Sequence, residues 1–226
     1  MTSGTCVAVV SGGLDSAVLA HHLRDEGWSL RLVSFDYGQR HRVELDHATA
    51  MAAAMGVDHD VVDLRSVGAL LSGSALTDDA VEVPDGHYTA ESMRTTVVAN
   101  RNAIFAMVAT GVDPEPDGAG PIGDRHAGDH AIYPDCRPPF VAAAEHLAKV
   151  ANEGFVAEGF QLLAPFLGWS KADIVRRGVE LDVDFAGTWS CYKGGAVHCG
   201  TCGTCVERVE AFELAGVPDP TEYEAA

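Results

Sequence analysis

The chain opens by alternating short apolar runs with longer stretches in which apolar positions recur every three to four residues. Residues 6–10, Cys-Val-Ala-Val-Val, are continuously apolar and end at Ser11, Gly12 and Gly13. That is the pattern of a strand buried on both faces of a parallel sheet. Val18, Leu19, His22 and Leu23 then share one helical face, with Asp15 the expected N-cap and Gly27 the stop. Residues 30–35 repeat the strand signal, 41–55 form an Ala- and Met-rich helix ending at Gly56, and 60–64 read as a third strand. A β-α-β-α-β order with right-handed crossovers predicts an α/β fold built on a doubly wound parallel sheet.

Past this point the pattern weakens. Residues 72–93 read as a long loop, 95–98 as extended and 101–110 as a helix. Residues 112–129 are rich in Gly, Pro and Asp where a parallel sheet needs another strand, and only Pro121 and Ile122 hint at one. A helix is expected over 138–151, a strand over 160–163, and a short helix over 171–177 stopped by Gly178. Residues 187–205 concentrate cysteine, and 206–214 form a closing helix ended by Gly216. The expected division is a main domain over 1–186 and a small metal-binding segment with its helix over 187–226.

At 226 residues and 47% hydrophobic, the chain can fill one core with a small appendage, since domains average roughly 150 residues. Fifteen Lys and Arg against 33 Asp and Glu give a formal charge of −18, and the only lysines are Lys149, Lys171 and Lys193. Such a field repels polyphosphate backbones and anionic lipid, which argues against tight nucleic-acid or membrane binding. The longest apolar stretch, 48–57, is broken by Thr49 and Gly56 and falls short of the ~18 residues of a spanning helix. The N-terminal residues carry no basic region, and the run at 6–10 is shorter than the ~7–15 residues of a signal-peptide core. The expected location is the cytoplasm, where clustered cysteines read as a metal site rather than as disulfides.

Ser11-Gly12-Gly13-Leu14-Asp15-Ser16 lies between the first strand and the first helix, at the sheet edge where nucleotides bind. Glycines let backbone approach an anion, and the N–H groups of the following turn, with the two serine hydroxyls, supply donors. The sequence has no G-x-x-x-x-G-K-[ST] motif, and the loop after the opening strand is not a G-x-G-x-x-G, so chemistry other than γ-phosphoryl transfer is expected. The nucleotide is placed against Val9 and Val10 at the strand end, Ser11 to Ser16 in the loop, and Phe35 and Arg40 at the end of the second strand. Asp15 is the expected Mg²⁺ ligand.

Cys191, Cys199, Cys202 and Cys205, spaced C-x7-C-x2-C-x2-C, supply four thiolates for a closed tetrahedral zinc site of structural type. An iron–sulfur cluster is the alternative. His198, adjacent to Cys199, is expected beside the site or at the surface.

The loop Ser-Gly-Gly-x-Asp-Ser after an opening strand resembles the signature of PP-loop ATP pyrophosphatases, which adenylate a carboxylate, amide or carbonyl oxygen and release pyrophosphate. Further stretches narrow the likeness: residues 34–44 (SFDYGQRHRVE), Asn100-Arg101-Asn102, Tyr133-Pro134-Asp135-Cys136-Arg137, and Ser190-Cys191-Tyr192 with the Cys-x2-Cys-x2-Cys end. Together these resemble the 7-cyano-7-deazaguanine synthase family over nearly the whole chain. The resemblance implies a Rossmann-like PP-loop (HUP) fold with a zinc-binding tail, and conversion of 7-carboxy-7-deazaguanine and ammonia to 7-cyano-7-deazaguanine by two adenylations with ATP and Mg²⁺. A homodimer is also implied.

Activating a carboxylate with ATP gathers negative charge, so fixed cations are needed. Arg40, Arg42, Arg101 and Lys171 are the candidates, with Asp15, Ser16, Arg101 and Lys171 the expected catalytic set. Asp135, then Asp129, is expected to pair with the base N1–H and exocyclic amine, with Tyr133 and Arg137 nearby. Cys136 reads as a small buried hydrophobe. Rival readings are a relative that stops at the amide or joins the activated base to another amine, a PP-loop tRNA thiolase, and a non-catalytic zinc-ribbon module. The acidic excess also fits a high-salt host.

Overall fold

The computed structural model describes residues 3–71, 73–88, 90–112, 120–121 and 133–224. Three parallel strands, β1 (Ser3–Val9), β2 (Trp28–Asp36) and β3 (Asp58–Asp63), pair in the order β1-β2-β3. Their register sets Cys6 opposite Leu30, Val9 opposite Val33 and Phe35 opposite Val62. The chain moves outward from β1 and then returns, setting β4 (Gly120–Pro121), which pairs in parallel with β5 (Leu162–Leu163), against β1. That reversal creates a switch point at the carboxyl end of β1, where α/β folds bind ligands.

Side chains alternate across the sheet and bury both faces. On one face Cys6, Ala8 and Val10 pack with α1 (Leu14–Asp25), α2 (Glu44–Met55), α7 (Lys171–Glu180) and α8 (Gly203–Ala215), through residues such as Leu19, Ala48, Ile174 and Phe212. On the other, Val7, Val33 and Phe35 meet Phe105, Val108 and Ala109 of α5 (Arg101–Val112). Helices on both faces make the sheet doubly wound, as the periodicity predicts. A further core joins α5 to α6 (Pro138–Ala151) through Ala106, Ala144 and Ala148. Because Ala211 and Phe212 sit in the first core, α8 anchors the cysteine segment directly to the sheet domain.

Several expectations are corrected. Gly13, not Asp15, occupies the N-cap of α1, and Asp15 lies in the first turn, where a carboxylate favours the positive end of the helix dipole. Gly178 does not stop α7, which continues to Glu180. A Cβ there would meet Phe185 Cζ at 2.4 Å and Val18 Cγ2 at 2.7 Å, so this glycine serves close helix packing. Residues 95–96 are turn and 97–98 have no regular structure, so no strand forms there, and the Thr95 and Thr96 hydroxyls donate back to the Ser92 and Met93 carbonyls. α2 starts at Glu44 rather than 41, α5 runs on to Val112, β5 covers only Leu162–Leu163, and α8 starts at Gly203 rather than 206. Two short helices, α3 (Arg65–Gly68) and α4 (Ala90–Arg94), carry too few apolar positions to show a period. Of the weak strand hint, Pro121 is in β4 and Ile122 lies outside the described residues, as does Asp129.

Candidate active site and metal centre

The loop between β1 and α1 is folded onto one hydroxyl. Ser16 Oγ accepts from the backbone N–H groups of Ser11 and Gly12, both at 3.2 Å, and donates to the Gly13 carbonyl at 3.0 Å. Ser11 Oγ in turn accepts from Gly13 N at 3.2 Å. Ser16 is fully buried and braces the loop, so the donors left for an anion are the first N–H groups of α1, at Leu14, Asp15 and Ser16. The first intrahelical bond there runs from Ala17 N to Gly13 O. Gly12 has φ +90° and presses against α2, and its carbonyl accepts from Trp189 N at 2.9 Å.

This loop forms one wall of a cleft shared by the strand ends, α5, α7 and the cysteine segment. Val9, Val10, Ser11, Gly13, Leu14, Asp15 and Phe35 all line it, and Arg101, Lys171 and Tyr133 face them. Of the four candidate cations, the structure therefore brings two to the loop. Lys171 Nζ lies 3.0 Å from Asp15 Oδ2 and 2.7 Å from Glu207 Oε2. Arg101 Nη1 donates to Tyr37 Oη at 3.4 Å, and its guanidinium carbon lies 6.0 Å from the Tyr37 ring centre. Burial works against the Arg101 charge, but Tyr37, Tyr192 and Asp135 outweigh it and keep the group protonated. Arg40 is instead turned to the carbonyls of Asp78 and Val81, both at 3.0 Å, and Arg42 is an exposed partner of Asp36 at 2.8 Å.

Beyond Arg101 the cleft is aromatic. Phe35 stacks on Phe105 with centroids 4.1 Å apart, while Tyr37, Tyr88 and Tyr192 are phenols whose ionisation burial pushes upward. Tyr133 Oη shares a 2.8 Å hydrogen bond with Thr96 Oγ1. Cys136 is buried and lines the cleft beside Asn102 Nδ2 at 3.9 Å. Asp135 and Arg137 lie in the same stretch but are not among the lining residues, and Arg137 is exposed as the cap of α6.

His41 was not singled out in the sequence, yet it lines this cleft, buried, with Nε2 3.5 Å from Glu44 Oε1 and its ring against Tyr192. Burial first, then the charges of Arg101 and Arg40, lower it to about 3, so the imidazole is neutral. Gln39 Nε2 donates to the same Glu44 oxygen at 3.0 Å. Trp189 and Glu207 likewise face the cleft. Residues 37–44 and 190–192 sit in stretches that carried a recognisable motif. Glu207, an acid within an ordinary helical pattern, carried none.

The four cysteines converge. The sulfurs of Cys191, Cys199, Cys202 and Cys205 all lie within 4.8 Å of one another, against the roughly 3.8 Å edge of a tetrahedron with zinc–sulfur bonds near 2.3 Å. Cys199 Sγ accepts from Thr201 N at 3.4 Å and Cys202 N at 3.3 Å, and Cys191 Sγ from Cys199 N at 3.5 Å. Such N–H donors stabilise thiolates, the form in which cysteine binds zinc. The donor set fits zinc. His198 takes no part, because its Nε2 accepts from Ser190 N at 3.0 Å and its ring packs on Trp189. The cysteines interleave with cleft residues, so one segment builds both sites.

Comparison with known proteins bears on this arrangement. Residues 5–216 match the model of the family described as queuosine biosynthesis protein QueC. A protein of Paracoccus denitrificans named 7-cyano-7-deazaguanine synthase is 56% identical, covering 97% of this chain and 93% of that one. Proteins of the same name from Rhizobium meliloti and Brucella canis are 55% and 53% identical over 96% and 97% of the chain. Among solved structures, a U34-tRNA thiolase from Methanococcus maripaludis shares the fold, with a TM-score of 0.52 at 14% identity. It matches 96% of this chain and 65% of its own length.

Proposed function

The chain belongs to the QueC family of queuosine biosynthesis proteins, and from that premise we propose that it converts 7-carboxy-7-deazaguanine and ammonia to 7-cyano-7-deazaguanine with ATP. The observation that carries the reading is the braced loop at the sheet switch point, with Lys171 and Arg101 facing it across one cleft. Helix-terminal amides suit a pyrophosphate, and a nearby cation offsets charge that builds as the phosphate bond breaks.

In this reading the carboxylate oxygen of the base bonds to the α-phosphorus and the bond to pyrophosphate breaks. Ammonia then adds to the activated carbon, and the C–O bond to AMP breaks to leave the amide. A second ATP takes the amide oxygen in the same way, and loss of AMP and two N–H protons gives the nitrile. The amides of Leu14, Asp15 and Ser16, with Lys171, hold the departing pyrophosphate. Arg101 faces the reacting carboxyl group, and Asp15 is the residue to hold Mg²⁺, which supplies charge neutralisation when bound. The neutral imidazole of His41 and the phenols around it exclude water from the activated base.

Tyr133, with Asp135, Arg137 and Asp129, is the proposed side for the heterocycle. Zinc held by the four cysteines keeps the cleft wall in place, and the protein works in the cytoplasm as a homodimer. Among the described residues no helix is long and apolar enough to cross a membrane.

The test is to incubate the protein with 7-carboxy-7-deazaguanine, ATP, Mg²⁺ and ammonium and to weigh the products. Nitrile with two AMP and two pyrophosphate per turnover is expected. An amide that accumulates and never becomes nitrile overturns the assignment in favour of an amide synthase.

A further inference from the structure

Lys171 is gripped by carboxylates from two different helices. Asp15 Oδ2, on α1, lies 3.0 Å from its ammonium, and Glu207 Oε2, on α8, lies 2.7 Å away. The three side chains are only 17%, 15% and 29% exposed and all line the cleft. Glu207 also follows Cys205 by two residues, on a helix whose first turn contains that cysteine and is buried.

We propose that Glu207 is a positioning residue for nucleotide binding, holding the Lys171 ammonium at the mouth of the phosphate loop from a helix fixed by the four-cysteine site. The inference rests on the nucleotide reading of the cleft. A lysine side chain is long and flexible, so an unanchored ammonium spreads over many positions. Asp15 is also the residue proposed to hold a divalent cation, whereas the Glu207 carboxylate, on a different helix, holds the ammonium from the other side at 2.7 Å.

Charge alone predicts the opposite effect. A carboxylate in a site that receives a polyanion repels it, so removing a Glu207 that only contributes charge tightens nucleotide binding. Removing one that positions Lys171 weakens it. The sign of the change separates the two roles.

The experiment is calorimetric titration of Mg²⁺ and α,β-methylene-ATP into the full, metal-loaded protein, with zinc per chain measured for each variant. Glu207→Gln is expected to weaken binding about tenfold, Lys171→Met by at least as much, and the double variant no more than Lys171→Met alone. Glu207→Asp, which keeps a carboxylate, falls between Glu207→Gln and the parent. In steady state KM for ATP rises with Glu207→Gln while KM for ammonium holds. Equal or tighter binding by Glu207→Gln overturns the proposal, as does additivity in the double variant. Should Glu207→Gln fail to fold, parent-like or tighter binding by Glu207→Asp overturns it too. A parent protein that binds no analogue refutes the nucleotide reading instead.

Discussion

Replacing Gly12 with alanine separates two costs that usually arrive together. Gly12 holds φ at +90°, and a Cβ built there stands 2.1 Å from the Glu44 carbonyl oxygen and 2.7 Å from Ala48 N, both backbone atoms of α2. Relief needs α2 to retreat by about 1 Å, because a carbon–oxygen contact settles near 3.2 Å or more. Overpacking of this kind costs typically 1–3 kcal/mol, and the left-handed backbone adds about 1–2 kcal/mol for a residue with a Cβ. The expected total is about 2–5 kcal/mol. Gly154 is the control, since its φ is +81° but nothing lies within 4 Å of an added Cβ, so Gly154→Ala carries the backbone cost alone. Urea denaturation of both variants and the parent gives the difference, about 1–3 kcal/mol. Glu44 and Leu45 line the cleft from the helix that must move, so KM for ATP should also rise in Gly12→Ala and hold in Gly154→Ala. Two variants of equal stability would refute the steric reasoning.

Two further outcomes follow from buried polar groups. Arg208 is fully buried, donating to Thr188 Oγ1 at 2.8 Å, Ser190 Oγ at 3.1 Å and the Phe185 carbonyl at 2.8 Å, with Asp219 at 3.3 Å. Arg208→Ala strands those acceptors and should cost about 3–5 kcal/mol in chemical denaturation, and a loss under 1 kcal/mol contradicts the network. His41 has a folded value near 3 against 6.5 when free, so between those values the unfolded chain takes up a proton that the folded chain refuses. Stability from this group is complete above about pH 6.5 and falls as pH drops toward 3, by roughly 3–5 kcal/mol in all. A His41→Asn variant should show a flatter stability profile over that window, and an unchanged slope rules the group out as its source.

The elements legible in the sequence are those whose pattern is local. The apolar run at 6–10 is buried on both sides, and Ser11 to Ser16 sit where a strand hands over to a helix, so burial and turn chemistry coincide. The cysteine spacing is equally local. Gly178 misled because a glycine that permits close packing against Phe185 looks the same in sequence as one that ends a helix. Arg40 shares a motif with cleft residues, but its side chain satisfies loop carbonyls at 78 and 81, an arrangement set by tertiary packing. Glu207 meets Lys171 across 36 positions of chain, and one acid on a charged helix face announces no such partner.

The hydroxyl of Ser16 has one more consequence, for how a nucleotide arrives. It closes the turn through the chain's own groups, with Ser11, Gly12 and Gly13 all tied to it. Ordering a residue costs about 1–2 kcal/mol, and for these few residues folding has already met that cost. A triphosphate therefore meets dipoles whose directions are fixed, and little of its binding energy is lost to assembling them. Association should run in a single fast phase, with no slow rearrangement of the loop behind it, and Ser16→Ala should introduce one.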